Sequence, residues 1–305
     1  MDLKNSHLDL MGKARKKQAV LEKFFMFRLF PKVLDKKVRR TELFQEWFSQ
    51  FMNYPRIIEL SLTLELLELK GVSSKRVLDI SSPKLLALYL ALETSSKVHV
   101  SDVEDYFISD FEIYRKKFKE HFELEVFDAR EIPHRENTFD CIFSISVLEH
   151  VAGDGDGEIM HEVQRVLKPG GIAVVTLPAW REYIEEWQKE KRFYWPTEEN
   201  ERGELFYQRR YDIHAIKKRM LVDGLKINKV IFVAEQPIEQ PKFDANGMLL
   251  HNAHFATKKA STKEGKLPLR EYLVYKKLSK KYHYLTTDGT DPNVRQVVVQ
   301  FKKDE

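Results

Sequence analysis

RVLDISSPKLLALYLALETSSKVHVSD, residues 76–102, holds the reading that decides the fold. An apolar β-type run, Arg76 to Asp79, ends in an acid; an apolar helical stretch follows; a second β-type run, Val98 to Asp102, again ends in an acid. Pro83 suits a first helical position, where no N–H is needed, and Ser81 or Ser82 suits the N-cap, so a helix is expected over Pro83–Glu93. Strand, helix and strand in this order make a βαβ unit with parallel strands. The phrase returns in Leu124–Asp128 (LEVFD) and Phe139–Ser144 (FDCIFS), with a helix expected between Asp105 and His121. Such alternation implies a parallel α/β sheet, whose ligands sit at the carboxyl ends of the strands. The strand-end acids are therefore expected to face one pocket.

Working outward, Glu158–Leu167 is an amphipathic helix stopped by Lys168-Pro169-Gly170-Gly171, and Gly171–Leu177 is a short buried strand. Beyond Pro178 the composition turns aromatic, with Trp180, Trp187, Phe193, Tyr194, Trp195, Phe206 and Tyr207 among charges. This stretch, 179–210, is either a lid over the pocket or packing on the sheet edge. A helix resumes at Ile213–Leu221, and Ile227–Ala234 with Arg295–Phe301 reads as a closing antiparallel pair. Between them lies an insertion, 236–294, with a Lys- and Tyr-rich helix near Leu269–Tyr284. Residues 1–70 read as a helical cap, apolar at three- and four-residue spacing through Thr41–Lys70 and broken at Pro31 and Pro55; Gly71–Lys75 joins it to the sheet domain, 71–305.

Hydrophobic content of 43% and charged content of 32% fit a soluble globular chain of 305 residues. The net charge of +4 is uneven: residues 1–40 hold twelve Lys or Arg against four Asp or Glu. Such an arm meets phosphate, an acidic membrane surface or an acidic partner, or is a solvated helical face. Phe24–Phe30 (FFMFRLF) either touches a membrane peripherally or packs on its own domain. Cys141 is the only cysteine, so no internal disulfide can form, and its apolar run makes it a buried strand residue rather than a nucleophile. Lysines interrupt the N-terminus too often for a signal peptide, and no 18 apolar residues run together, so the expected location is cytoplasmic.

The first turn, Asp79-Ile80-Ser81-Ser82-Pro83-Lys84, contains no glycine, and Pro83 has no N–H to donate. A pyrophosphate cradled by backbone amides would be poorly served there. S-adenosylmethionine carries no phosphate, and the hydroxyls of Ser81 and Ser82 suit it. Phe139–Val151 (FDCIFSISVLEHV) followed by Glu162–Gly171 (EVQRVLKPGG) resembles the class I S-adenosylmethionine-dependent methyltransferases, in particular the ubiquinone and menaquinone methyltransferase-like subgroup. The resemblance runs from about Arg76 to Pro178. It implies a Rossmann-like, mostly parallel seven-stranded sheet with a closing antiparallel hairpin, and S-adenosylmethionine as cofactor. It assigns Asp79 to the amino-acid tail, Asp102 to the ribose hydroxyls, Asp128 with Ala129 to adenine, and Ser144 to Ser146 to the methionine side of the pocket. All three glycines of the family's loop are replaced.

Methyl transfer needs alignment, exclusion of water and, for an O or N acceptor, the handling of one proton. Glu149 and His150, just past the fourth strand, are the candidate catalytic residues; His150 is either the base or a hydrogen bond holding the loop. In Phe206–Asp212 (FYQRRYD), Arg209 and Arg210 are either an anion clamp walled by Tyr207 and Tyr211 or surface charge at a helix start. His161, His214, His251 and His254 lack a metal-ligand spacing, so no metal is expected. The leading expectation is methyl transfer to a small molecule, or to a glycan or lipid precursor. A catalytically silent module binding a partner through the basic arm is one alternative. Ser144-Ile145-Ser146-Val147 stands where base-modifying relatives carry an Asn-Pro-Pro-Tyr type motif, which disfavours the other, a nucleic-acid acceptor.

Overall fold

The computed structural model describes residues 3–29, 31, 35–41, 54–69, 74–118, 122–190, 197–236 and 269–305. Five strands pair in parallel: β1 (Arg76–Ile80), β2 (Lys97–Asp102), β3 (Glu123–Val126), β4 (Phe139–Ile145) and β5 (Leu167–Pro178). A hairpin, β6 (Ile184–Gln188) and β7 (Leu205–Arg210), forms a separate two-stranded sheet. β8 (Leu225–Glu235), β9 (His283–Thr286) and β10 (Val294–Lys303) complete the main sheet by antiparallel pairing. Its order is β3-β2-β1-β4-β5-β10-β8-β9.

The sheet is thus Rossmann-like and mostly parallel, as expected, with the closing antiparallel pair in place. It has eight strands rather than seven, because β9 adds to the edge beside β8. β1 lies at the switch point: one chain path leads outward through β2 to β3, the other through β4 to β5. The crevice above β1 and β4 is where such sheets bind ligands.

The strands read as near-continuous apolar runs because both faces are covered. Successive side chains alternate between two cores: Val77, Cys141 and Phe143 face one, Leu78 and Ile142 the other. The first core is closed by α1 (Leu3–Phe24), α3 (Tyr54–Leu66), α4 (Leu85–Glu93) and α5 (Ile108–Phe118), with the short α2 (Lys36–Arg39) alongside α5. The second is closed by α6 (Gly155–Val166) and α7 (Ile213–Met220), which are pinned together by the buried Asp156 carboxylate accepting from Tyr211 and Arg219. Near the start of β5, where its register against β4 shifts, Gly170 has φ +71°, and a Cβ on Gly171 would stand 2.8 Å from the Lys168 carbonyl.

The N-terminal helices pack into the domain. Cys141, buried as expected, donates to the Leu67 carbonyl, and Gln300 donates to that of Leu66. Arg15 on α1 bonds Ser279 on α8 (Leu269–Tyr282), and Lys276 pairs with Glu22. Among the described residues no helix is long and apolar enough to cross a membrane. Residues 42–53, 70–73, 191–196 and 237–268, on which parts of the expected cap, joint, lid and insertion fall, lie outside the described residues.

Candidate active site

The sheet's carboxyl edge divides at the β1–β4 boundary. On the β1–β3 side, Asp79 is fully buried; its Oδ1 accepts the Ser82 N–H at 3.0 Å, while Oδ2 has no hydrogen-bond partner. Burial pushes this carboxyl up to about 7, against the pull of Lys84 and Ser82. Ser81 adopts φ +50°, the left-handed region that favours glycine, so the turn keeps a glycine-type path with a serine in it.

The Ser82 hydroxyl is not presented to a cofactor, contrary to the sequence expectation. It accepts the Ile145 N–H at 2.9 Å and donates to the Ile80 carbonyl at 3.3 Å, tying β1 to β4. Nor does Pro83 open the helix. α4 starts at Leu85 with Lys84 as N-cap and no side-chain cap.

Asp102, at the end of β2, accepts the Val103 N–H through Oδ1 at 2.9 Å and the Tyr106 hydroxyl through Oδ2 at 3.4 Å. Lys84 Nζ stands 3.0 Å from the same Oδ2. Beyond β3, Asp128 is half-exposed and held by Arg130, whose hydrogen bonds keep its carboxyl below the usual range. Ala129 packs against the second core.

On the β4–β5 side the sequence candidates meet residues from far along the chain. Ser144 is buried and donates to the Ile80 carbonyl. Ser146, at φ +51°, donates to Glu59 Oε1 at 2.9 Å, and Thr176 donates to the same oxygen at 3.3 Å. Glu59 comes from α3 and is buried; Arg56, one turn earlier, donates to its Oε2 at 2.7 Å.

Glu149 and His150 occupy a 3₁₀ turn (Leu148–His150) under this group. Glu149 is buried, its Oε2 has no hydrogen-bond partner, and burial pushes its carboxyl up to about 8. His150 is lowered to about 4, also by burial. Its Nδ1 lies 2.8 Å from the Tyr207 carbonyl, an acceptor only, so Nδ1 carries the proton and Nε2 is the acceptor nitrogen, 3.8 Å from Glu149 Oε1. The β6–β7 hairpin is thereby tied to the site, with the Tyr207 ring 5.4 Å from the His150 ring.

The other residues expected as an acceptor clamp serve the frame. Arg209 is buried and donates to the Val151 and Gly153 carbonyls and the Tyr183 hydroxyl, fixing the loop after the 3₁₀ turn. Arg210 pairs with Glu186 across the hairpin. Tyr211 is buried and donates to Asp156, on the side of α6. The Arg209 guanidinium is thus engaged on the Tyr183 hydroxyl and two backbone carbonyls, and the Arg210 Nε on Glu186.

Lys84, Glu59, Arg56 and Thr176 are the site residues sequence reasoning missed. Glu59 left a trace: an acid inside the apolar run Tyr54–Leu66, with Arg56 at helical spacing. Lys84 left none beyond its place in the turn. A trio also missed, His99, Glu125 and His134, brings potential metal-ligand atoms within 4.8 Å of one another. Glu125 bridges both rings, and Arg76, a pure donor, faces His99 Nε2 at 3.4 Å. That contact places the His99 proton on Nδ1, toward Glu125, which makes the trio a hydrogen-bonded strut between β2, β3 and the following loop. His161 and His214 form no such group among the described residues, and His251 and His254 lie outside them.

Residues 78–175 match a family model described as "Methyltransferase domain". No curated protein matches the chain. A structure of a putative sarcosine dimethylglycine methyltransferase from Galdieria sulphuraria is similar at a TM-score of 0.50 and 13% identity, over 88% of this chain and 99% of that one. So is a structure of Haemonchus contortus phosphoethanolamine N-methyltransferase 2 in complex with S-adenosyl-L-methionine, at a TM-score of 0.50 and 17% identity, over 93% of this chain and 60% of that one. The similarity to both structures is one of fold. Over residues 78–175 the chain is thus similar to a methyltransferase domain, carried on a Rossmann-like, mostly parallel sheet.

Proposed function

We propose that the chain transfers a methyl group from S-adenosylmethionine to an oxygen or nitrogen of a small-molecule acceptor, glycan and lipid precursors included. The observation that carries this reading is Glu149 Oε2, a buried oxygen with no partner, next to a neutral His150 at the edge of the cofactor crevice. A buried polar atom without a partner costs free energy that a bound ligand recovers.

The residues fit the cofactor. Asp79 offers a buried Oδ2 with no hydrogen bond for the amino-acid tail, Asp102 remaining acceptor capacity for the ribose, and Asp128 with Ala129 the adenine edge. When bound, S-adenosylmethionine supplies a methyl group already activated by its sulfonium. The protein must then align the acceptor, exclude water and take one proton. Glu149, once ionised, is the stronger proton acceptor of the pair, since burial raises it to about 8 while lowering His150 to about 4. His150 Nε2 then orients the acceptor's O–H or N–H, and the hairpin closes over both.

Transfer of a labelled methyl group, measured across amino, hydroxyl and sugar-lipid acceptors, tests the reading. The rate on the acceptor that turns over rises with pH through about 8 in the wild type and loses that rise in Glu149→Gln. A rate indifferent to Glu149 overturns its role.

A further inference from the structure

Lys84 is fully buried at the N-cap of α4, and its side chain folds back beneath the turn. Nζ donates to the Ser101 carbonyl at 2.7 Å, stands 3.0 Å from Asp102 Oδ2 and 3.9 Å from Asp79 Oδ2, and lies 5.1 Å from the centre of the Phe107 ring. A fixed cation is therefore wedged between the two acids assigned to the cofactor's tail and ribose. It offsets one unit of the negative charge they place there.

This matters because donor and product of methyl transfer differ by one charge. S-adenosylmethionine is a sulfonium with a zwitterionic tail, net positive; S-adenosylhomocysteine, the thioether left after transfer, has the same tail and is net neutral. Their shared adenosine and tail contacts largely cancel in the ratio of affinities. What remains reports the electrostatic potential at the sulfur, and a cation anywhere within a few ångströms of the pocket raises that potential.

We propose that Lys84 is a specificity-determining residue of the cofactor site, which weakens the pocket's preference for the charged donor over its neutral thioether product. This rests on the reading of the crevice as the S-adenosylmethionine site. A lysine acting only as a staple between the turn and β2 would change both affinities together; one acting through its charge changes their ratio.

The test is calorimetric titration of S-adenosylmethionine and S-adenosylhomocysteine, separately, into the full chain as wild type, Lys84→Met and Lys84→Arg, with thermal unfolding as the check on folding. Lys84→Met shifts the affinity ratio toward S-adenosylmethionine by about tenfold, the order of one unit charge at several ångströms in a partly buried site. Lys84→Arg keeps the wild-type ratio. An unchanged ratio in Lys84→Met, with both ligands bound, overturns the role of Lys84 alone. Failure of the wild type to bind either ligand overturns the cofactor reading itself. Should Lys84→Met not fold, the wild type still decides: sinefungin, which carries an amine in place of the sulfonium, binds no more than a few-fold tighter than S-adenosylhomocysteine, and a preference of tenfold or more contradicts the proposal.

Discussion

The two halves of the carboxyl edge hold their strand-end ionisable groups differently. Above β1–β3, acids are met by cations: Lys84 stands 3.0 Å from Asp102, and Arg130 stands 2.7 Å from Asp128. Above β4–β5, the burial of Glu149 and His150 drives both toward their neutral forms instead. An acid held by a cation, as Asp128 is by Arg130, is kept toward its charged form; an acid pushed toward neutrality, as Glu149 is and Asp79 is to a lesser degree, holds a proton it can exchange. The first half thus suits a charged, polar cofactor, and the second suits proton handling at an acceptor.

The largest expected effect breaks the second half. Glu149→Gln keeps the shape and hydrogen-bonding size of the neutral acid but removes the exchangeable proton, so turnover on a working acceptor falls by about 10²- to 10⁴-fold. Retained turnover would place the base elsewhere.

The same substitution sharpens the contrast through stability. Glu149 has its folded value raised to about 8 from an ordinary 4.5, so its stabilising protonation is complete below about 4.5 and is lost as pH rises through 8. His150 runs the other way: lowered to about 4 from 6.5, it adds stability as pH rises through that interval. Glu149→Gln removes only the first dependence. Its unfolding free energy, relative to wild type, should improve by roughly 4 kcal/mol between pH 5 and pH 8.5. A difference constant with pH would show that Glu149 is not held neutral.

A smaller effect probes the first half. Ser81 pays for a left-handed backbone at φ +50° that glycine adopts without penalty. Ser81→Gly should therefore stabilise the fold by about 1 kcal/mol, read from denaturant midpoints. Destabilisation would mean that the serine side chain contributes more than its backbone strain costs.

How far the sequence foretold this site follows the same division. The β1–β3 half was legible because one local rule, an apolar run ending in an acid, put Asp79, Asp102 and Asp128 at neighbouring strand ends. The closing antiparallel β8–β10 pair was legible in the two β-type runs Ile227–Ala234 and Arg295–Phe301. The other half was legible only in Ser144, Ser146, Glu149 and His150, which sit on the matched segment itself. Glu59 reaches it from a helix over 80 residues upstream of Ser146, and Tyr207 from a hairpin over 50 residues beyond His150. No spacing rule links such positions. Arg209 and Arg210 misled for a related reason, since their residue types suit an anion clamp but not their hydrogen bonds, which tertiary contacts decide. The extra strand β9 was hidden at the end of the insertion, where it follows a helix without a turn signal.

The central claim is that Asp102 serves the cofactor rather than merely completing an ion pair with Lys84. Calorimetric titration of S-adenosylhomocysteine into wild type and Asp102→Asn tests it most directly. The account predicts saturable one-to-one binding in the wild type and a loss of about tenfold or more in the variant, the scale of a charge-assisted hydrogen bond. Equal affinity in the two folded proteins would contradict it.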